Sequence, residues 1–290
     1  MTLAKDLYLY QRQGTYIPRI AAVHDLCGYG KCSLGVAIPV LSAAGCDVCP
    51  VPTSLFSAHT LFDTFYMHDT TSMLEGYLDA WDKEGIVLDA VYSGFLGSAE
   101  QVAAIKRIYD THPRALRVVD PVMGDGGSMY PTYTEEMCHA TADLVDGADL
   151  LLPNLTEASL LTGIEYLGQD VDEKYVRRML DALLEMGAKT VVLKGINHGD
   201  GLIRNYVGGR DVETVEISAE VLPFMLHGTG DLYASSVLAA IMAGKSLHDS
   251  VAFAGELVRH AMLITRDQPD YEVRGVSFES VLGEVTGLIA

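Results

Sequence analysis

Basic side chains are scarce in this sequence: 20 Lys and Arg stand against 39 Asp and Glu, a formal net charge of −19. Binding to a nucleic-acid backbone draws on clustered Lys and Arg, so no nucleic-acid partner is expected. Cysteine is sparse as well. The five, Cys27, Cys32, Cys46, Cys49 and Cys138, are an odd number in a chain of 290 residues, which argues against a disulfide framework. Cys46 and Cys49 form a C-x-x-C within an apolar stretch, with no second pair or nearby His to complete a zinc site. Apolar runs all fall short of the ~18 residues of a membrane span, and residues 1–14 are too polar for a signal peptide. The expectation is a soluble, cytoplasmic protein with no membrane partner. A G-x-x-x-x-G-K-[ST] motif is missing, and no G-x-G-x-x-G follows the first strand-like run, so the common P-loop and dinucleotide folds lose support.

What is present is an alternation. Strand-like apolar runs at residues 20–24, 48–52, 90–93, 116–120, 150–152 and 190–194 are separated by stretches with apolar residues three and four apart, at 33–44, 98–111, 135–145 and 171–186. Such β-α alternation implies an α/β fold in which a mainly parallel central sheet is flanked by helices on both faces. Residues 202–207 and 212–217, joined by Gly208-Gly209-Arg210, read as a β-hairpin, and helical stretches follow at 231–243, 247–263 and 278–289. Hydrophobic residues make up 49% and charged residues 20%, enough apolar material for a large core. No repeat or linker divides the chain, so residues 1–290 are expected to form a single domain.

In sheets of this type ligands bind beyond the carboxyl ends of the strands. Four segments there carry candidate chemistry. His227-Gly228-Thr229-Gly230-Asp231 opens a helical run; its glycines let backbone fold around a ligand while the helix N-terminus offers free N–H groups to an anion. Asp231, in the first turn, either caps the helix or takes a proton from a substrate hydroxyl. Asp120-Pro121-Val122-Met123-Gly124-Asp125 leaves a strand with two carboxylates that suit a hard cation, Mg²⁺ first, or that are solvated turn acids. Pro153-Asn154-Leu155-Thr156-Glu157 either caps the next helix or lets Asn154 and Glu157 reach magnesium, its waters or phosphate. Lys194 adds a cation at the same rim. An acidic chain can hold polyphosphate through such local devices.

These segments resemble the signature motifs of the ribokinase-like (PfkB/vitamin kinase) superfamily, with its three-layer α-β-α fold. Tyr29-Gly30-Lys31, the run from Val51 to Thr60, and Ser93-Gly94-Phe95-Leu96-Gly97 look like pyridoxal/pyridoxamine kinases within it. The resemblance implies an ATP-dependent kinase that phosphorylates the 5′-hydroxymethyl group of a B6 vitamer. It implies Asp231 as general base and Gly228, Thr229 and Gly230 as an anion hole. Asp125 and Glu157 would hold Mg²⁺, with Asp120, Asn154, Lys194 and Thr229 at the ATP phosphates. Asp25, Phe56, Thr60 and Phe95 would line the vitamer pocket with Tyr29 near by, and residues 126–131 would form a mobile lid. A monovalent cation, K⁺ or Na⁺, is a candidate further cofactor, and a homodimer is the expected assembly. Two departures stand out: relatives carry Ser where Asp25 stands, and the lid has no cysteine. The alternatives are a hydroxymethylpyrimidine or sugar kinase, or a vitamer- or nucleotide-binding protein without activity.

Overall fold

The structure, a computed structural model, describes residues 3–290, so the first two residues of the expected 1–290 domain lie outside it. The apolar runs and the hairpin become strands, and three short strands join them, giving β1 (Arg19–Cys27), β2 (Asp47–Phe56), β3 (Met67–Asp69), β4 (Ala90–Ser93), β5 (Leu116–Val119), β6 (Gly124–Asp125), β7 (Ser128–Met129), β8 (Leu150–Leu151), β9 (Thr190–Asn197), β10 (Leu202–Gly209) and β11 (Val212–Glu220), of which β3, β6 and β7 were not expected. Between and after them run α1 (Leu34–Ala43), α2 (Thr71–Glu84), α3 (Gln101–Thr111), α4 (Glu135–Ala142), α5 (Leu155–Thr162), α6 (Glu173–Glu185), α7 (Thr229–Met242), α8 (Leu247–Thr265), α9 (Tyr271–Arg274) and α10 (Leu282–Thr286).

Nine strands form one sheet in the order β11-β10-β9-β8-β5-β4-β1-β2-β3, while β6 and β7 make a separate hairpin. The six strands from β2 to β9 along that order pair in parallel; β3, β10 and β11 are antiparallel. Because side chains alternate across a strand, the apolar runs feed two cores. Ile20, Tyr92, Val118, Leu150 and Val192 pack against α1, α7 and α8 on one face. Ala21, Val23, Val91, Val119, Leu151 and Val191 pack against α2, α3 and α6 on the other. The architecture is thus the expected three layers.

Two features prepare the site. After β2 the chain crosses β1 to reach β4, so the order reverses beside β1 and opens a crevice at the strand ends there. Gly195 adopts φ +80° within β9, letting the strand run on to Asn197 instead of stopping at Lys194. The helical pattern at 278–289 breaks into a short 3₁₀ turn and α10.

Candidate active site

A cavity of about 510 Å³ runs along the carboxyl ends of the sheet. Asp25 enters it from β1, Phe56 from the end of β2, Phe95 from just after β4 and Asp120 from just after β5. Asn154 follows β8, and Lys194 comes from β9. The turn Gly228-Thr229-Gly230-Asp231 closes the far wall. Each sequence-predicted site residue therefore lines this cavity except Tyr29. That ring lies on the surface, 5.3 Å from the Phe62 ring and beneath the Arg274 guanidinium.

The turn before α7 is dictated by space. Gly228 sits at φ +79°, and a Cβ there would run into the Lys31 carbonyl oxygen. Only glycine lets the two backbones approach so closely. Gly228 is the N-cap residue of α7, so the first-turn N–H groups of a long buried helix point out of its end. Asp231 stands in that first turn. Enclosure by the cavity walls, then the charges of Asp120 and Asp25, raise its pKa to about 7. A carboxylate tuned near neutral pH is a competent proton acceptor.

Across the cavity lies an ionic cluster. The Lys194 ammonium donates to Asp120 Oδ1 and stands 3.8 Å from Glu157 Oε2. Burial opposes its charge, but the two carboxylates outweigh that and raise its pKa. Glu157 is buried and shifted up to about 8 by desolvation, against the pull of Lys194. Its Oε2 also accepts the Asn154 N–H at 2.7 Å while Asn154 Oδ1 accepts the Glu157 N–H at 2.8 Å, a reciprocal capping box for α5. The Asn154 amide donates to Gly124 O at 2.9 Å, and Gly127 N–H donates to Thr156 Oγ1 at 2.9 Å, so the same helix end anchors the β6–β7 hairpin. The capping reading of Asn154 and Glu157 is thus the one seen directly, and both residues also line the cavity.

Six acids line this space, Asp25, Asp120, Asp125, Glu157, Asp231 and Glu272, with Lys194 the single Lys or Arg. A polyphosphate entering it would need additional positive charge. The donors are hard carboxylate oxygens, which fit Mg²⁺. Among the described residues no three His, Cys, Asp or Glu converge to hold an ion unaided.

The other end of the cavity is aromatic. The Phe56 and Phe95 rings meet edge-on at 5.8 Å, and both are largely buried. His59 and His227, which sequence reading passed over as ligand-facing residues, stack at 4.1 Å over the same space. Desolvation lowers the pKa of His227 to about 4, with His59 adding to the effect. Ser33 and Asn205 were missed too, and Tyr130 was expected only as part of the lid at 126–131. Each sits in a loop or hairpin whose path depends on tertiary packing, and no local motif marks it.

The phosphomethylpyrimidine kinase profile matches residues 38–272. The chain belongs to the phosphomethylpyrimidine kinase family. A pyridoxine/pyridoxal/pyridoxamine kinase of Bordetella avium is 32% identical over 264 residues, covering 85% of either chain. Among solved structures, a Bacteroides thetaiotaomicron protein assigned as a phosphomethylpyrimidine kinase and crystallised with pyridoxal is 31% identical at TM-score 0.88, covering 93% of this chain and 96% of its own. Pyridoxal kinase from Lactobacillus plantarum is 28% identical at TM-score 0.86, with 94% and 98% covered. The likeness in fold thus spans the whole sheet on which the cavity is built, and the ribokinase-like assignment made from motifs holds.

Proposed function

We propose that this protein is a pyridoxal kinase: with ATP it phosphorylates the 5′-hydroxymethyl group of pyridoxal, pyridoxamine or pyridoxine. The observation that carries this reading is the placement of Asp231. It stands where an aromatic pocket meets a helix N-terminus, so a ring seated by Phe56 and Phe95 presents its hydroxymethyl group to a base beside an anion site. The names of the relatives point to the same substrates.

In this mechanism Asp231 accepts the hydroxyl proton as the oxygen attacks the γ-phosphorus, and the bond to the leaving ADP breaks. First-turn N–H groups of Gly228, Thr229 and Gly230 hold the equatorial oxygens of the moving phosphoryl group. Lys194, Asp120 and Asn154 flank the polyphosphate, and Thr60 borders the vitamer. Asp125 and Glu157 would hold Mg²⁺, which supplies charge neutralisation at the phosphates when bound. Residues 126–131, tethered through the β6–β7 hairpin, close over the reacting groups.

The test is ADP release with pyridoxal, pyridoxamine, pyridoxine, hydroxymethylpyrimidine and ribose in parallel, with and without Mg²⁺. Turnover confined to the B6 vitamers and dependent on Mg²⁺ is expected. Turnover on the pyrimidine alone would move the protein to thiamine-type chemistry, and silence on all five would leave a binding protein. Exchanging K⁺ for Na⁺ in the same assay measures a monovalent-cation requirement. The exposed Leu55, Phe65 and Tyr66 at the β2–β3 edge support a homodimer, checked by sedimentation, and the five free thiols fit a cytoplasmic setting.

A further inference from the structure

Asp25 is 5% exposed and faces the cavity, yet no basic side chain pairs with it; Lys194, the one Lys or Arg of the lining, is committed to Asp120. A buried carboxylate without a cationic partner is costly, and a bound ligand is the natural place to find one. Its only side-chain support is Ser33. That residue has φ +50° and ψ −128°, a conformation L side chains rarely adopt; among the described residues only Asp270 shares a positive φ outside glycine. Strain of this kind persists where the surroundings require it. Ser33 lines the same cavity as Asp25 and Asp231, and its hydroxyl lowers the pKa of the first while its backbone N–H lowers that of the second. One strained residue thus acts on both acids of a shared cavity, and the charge of Asp25 is felt at Asp231.

Resting on the kinase reading above, we propose that Asp25, held by the positioning residue Ser33, selects substrates that carry a positively charged nitrogen beside the reacting hydroxymethyl group. On the vitamer ring the 4-substituent neighbours the 5-hydroxymethyl carbon. With Asp231 at the hydroxyl, Asp25 meets that substituent: an ammonium in pyridoxamine, an aldehyde in pyridoxal, an alcohol in pyridoxine. Only the ammonium completes an ion pair and donates charge-assisted hydrogen bonds. Pyridoxamine is therefore the preferred vitamer.

The experiment compares kcat/KM for the three vitamers in the wild type, Asp25→Asn, Ser33→Ala and Ser33→Gly. Wild type should favour pyridoxamine over pyridoxal by at least ~10-fold, and Asp25→Asn should lower that ratio by at least ~10-fold, the usual worth of a hydrogen-bonded charge. Ser33→Gly removes the hydroxyl and relieves the backbone strain, so its Tm should equal or exceed that of wild type while discrimination drops several-fold. A purely structural Ser33 would not separate those two readouts.

The pH profile adds a second check. Burial raises the Asp25 pKa to about 6 and the Ser33 hydroxyl holds it down, with Asp231 from α7 and the Cys27 and Cys32 thiols also facing it. Amine preference should grow as pH rises through that value in wild type and at higher pH in Ser33→Gly. A ratio unchanged in Asp25→Asn, or a wild type that prefers pyridoxal, overturns the role of Asp25 alone. Inertness toward all three vitamers overturns the kinase reading with it.

Discussion

Replacing Lys194 with Met keeps most of the apolar stem and removes the one basic group of the cavity lining. Asp120, 1% exposed, then has no partner, and Glu157 loses its counterion at 3.8 Å. An uncompensated buried charge costs roughly 3–5 kcal/mol, and protonation is the escape. Neutralising a carboxyl whose ordinary value is 3.8 costs about 5 kcal/mol at pH 7.5 but only about 1.6 kcal/mol at pH 5, at ~1.36 kcal/mol per pH unit. The variant's native state would then carry a proton that its unfolded state releases, so its stability falls as pH rises. The deficit relative to wild type should be ~3–5 kcal/mol at pH 7.5 and shrink by about 3 kcal/mol toward pH 5. Urea unfolding followed by fluorescence of Trp81, the single tryptophan, measures both. A deficit below ~1 kcal/mol at pH 7.5, or one that does not change with pH, would refute the ion-pair argument.

Asp231→Asn should lower kcat by roughly 10²–10⁴ with ATP binding retained in calorimetry, and wild-type turnover should rise with pH through about 7 as the carboxylate forms. Near-normal kcat in that variant would remove Asp231 from the base role. Gly228→Ala drives a Cβ into the Lys31 carbonyl oxygen at φ +79°. The helix end must swing away, at ~1–2 kcal/mol for the backbone alone, and turnover should fall at least ~10-fold; wild-type rates would show the turn to be dispensable. His24 is buried with both ring nitrogens unpartnered, and desolvation lowers its pKa to about 3. Unfolding therefore takes up a proton below the ordinary value of 6.5, costing about 2 kcal/mol of stability by pH 5. His24→Leu should flatten that slope in urea titrations, and an equally steep slope would assign it elsewhere.

The parallel strands were legible because they are buried on both faces, which leaves uninterrupted apolar runs such as Val191-Val192-Leu193. The β10–β11 hairpin showed in its Gly-Gly turn. Strands β3, β6 and β7, of two or three residues, are too short to impose a period, and their pairing comes from the loops that carry them. In the candidate site, residues just after or near the ends of β5, β8 and β9 could be gathered by topology alone, which put Asp120, Asn154 and Lys194 at one rim, while Asp231 was marked by its Gly-Thr-Gly turn. Ser33 could not be read that way, since nothing in a serine announces a positive φ. Tyr29 shows the opposite limit, a motif residue whose ring turns outward over Phe62.

The Lys31 contacts also bear on how the chain assembles. Its N–H is held by Arg274 O, and its ammonium by Glu279, a partner 248 residues away. Long sequence separation makes such closure a late event in folding. The loop carrying Asp25's support is therefore fastened only when the C-terminal strap has docked. The core on the α2, α3 and α6 face can form without that strap, whereas the opposite core takes in Val276, Phe278, Val281 and Val285, so competence to turn over substrate should arrive only after residues 271–286 have packed.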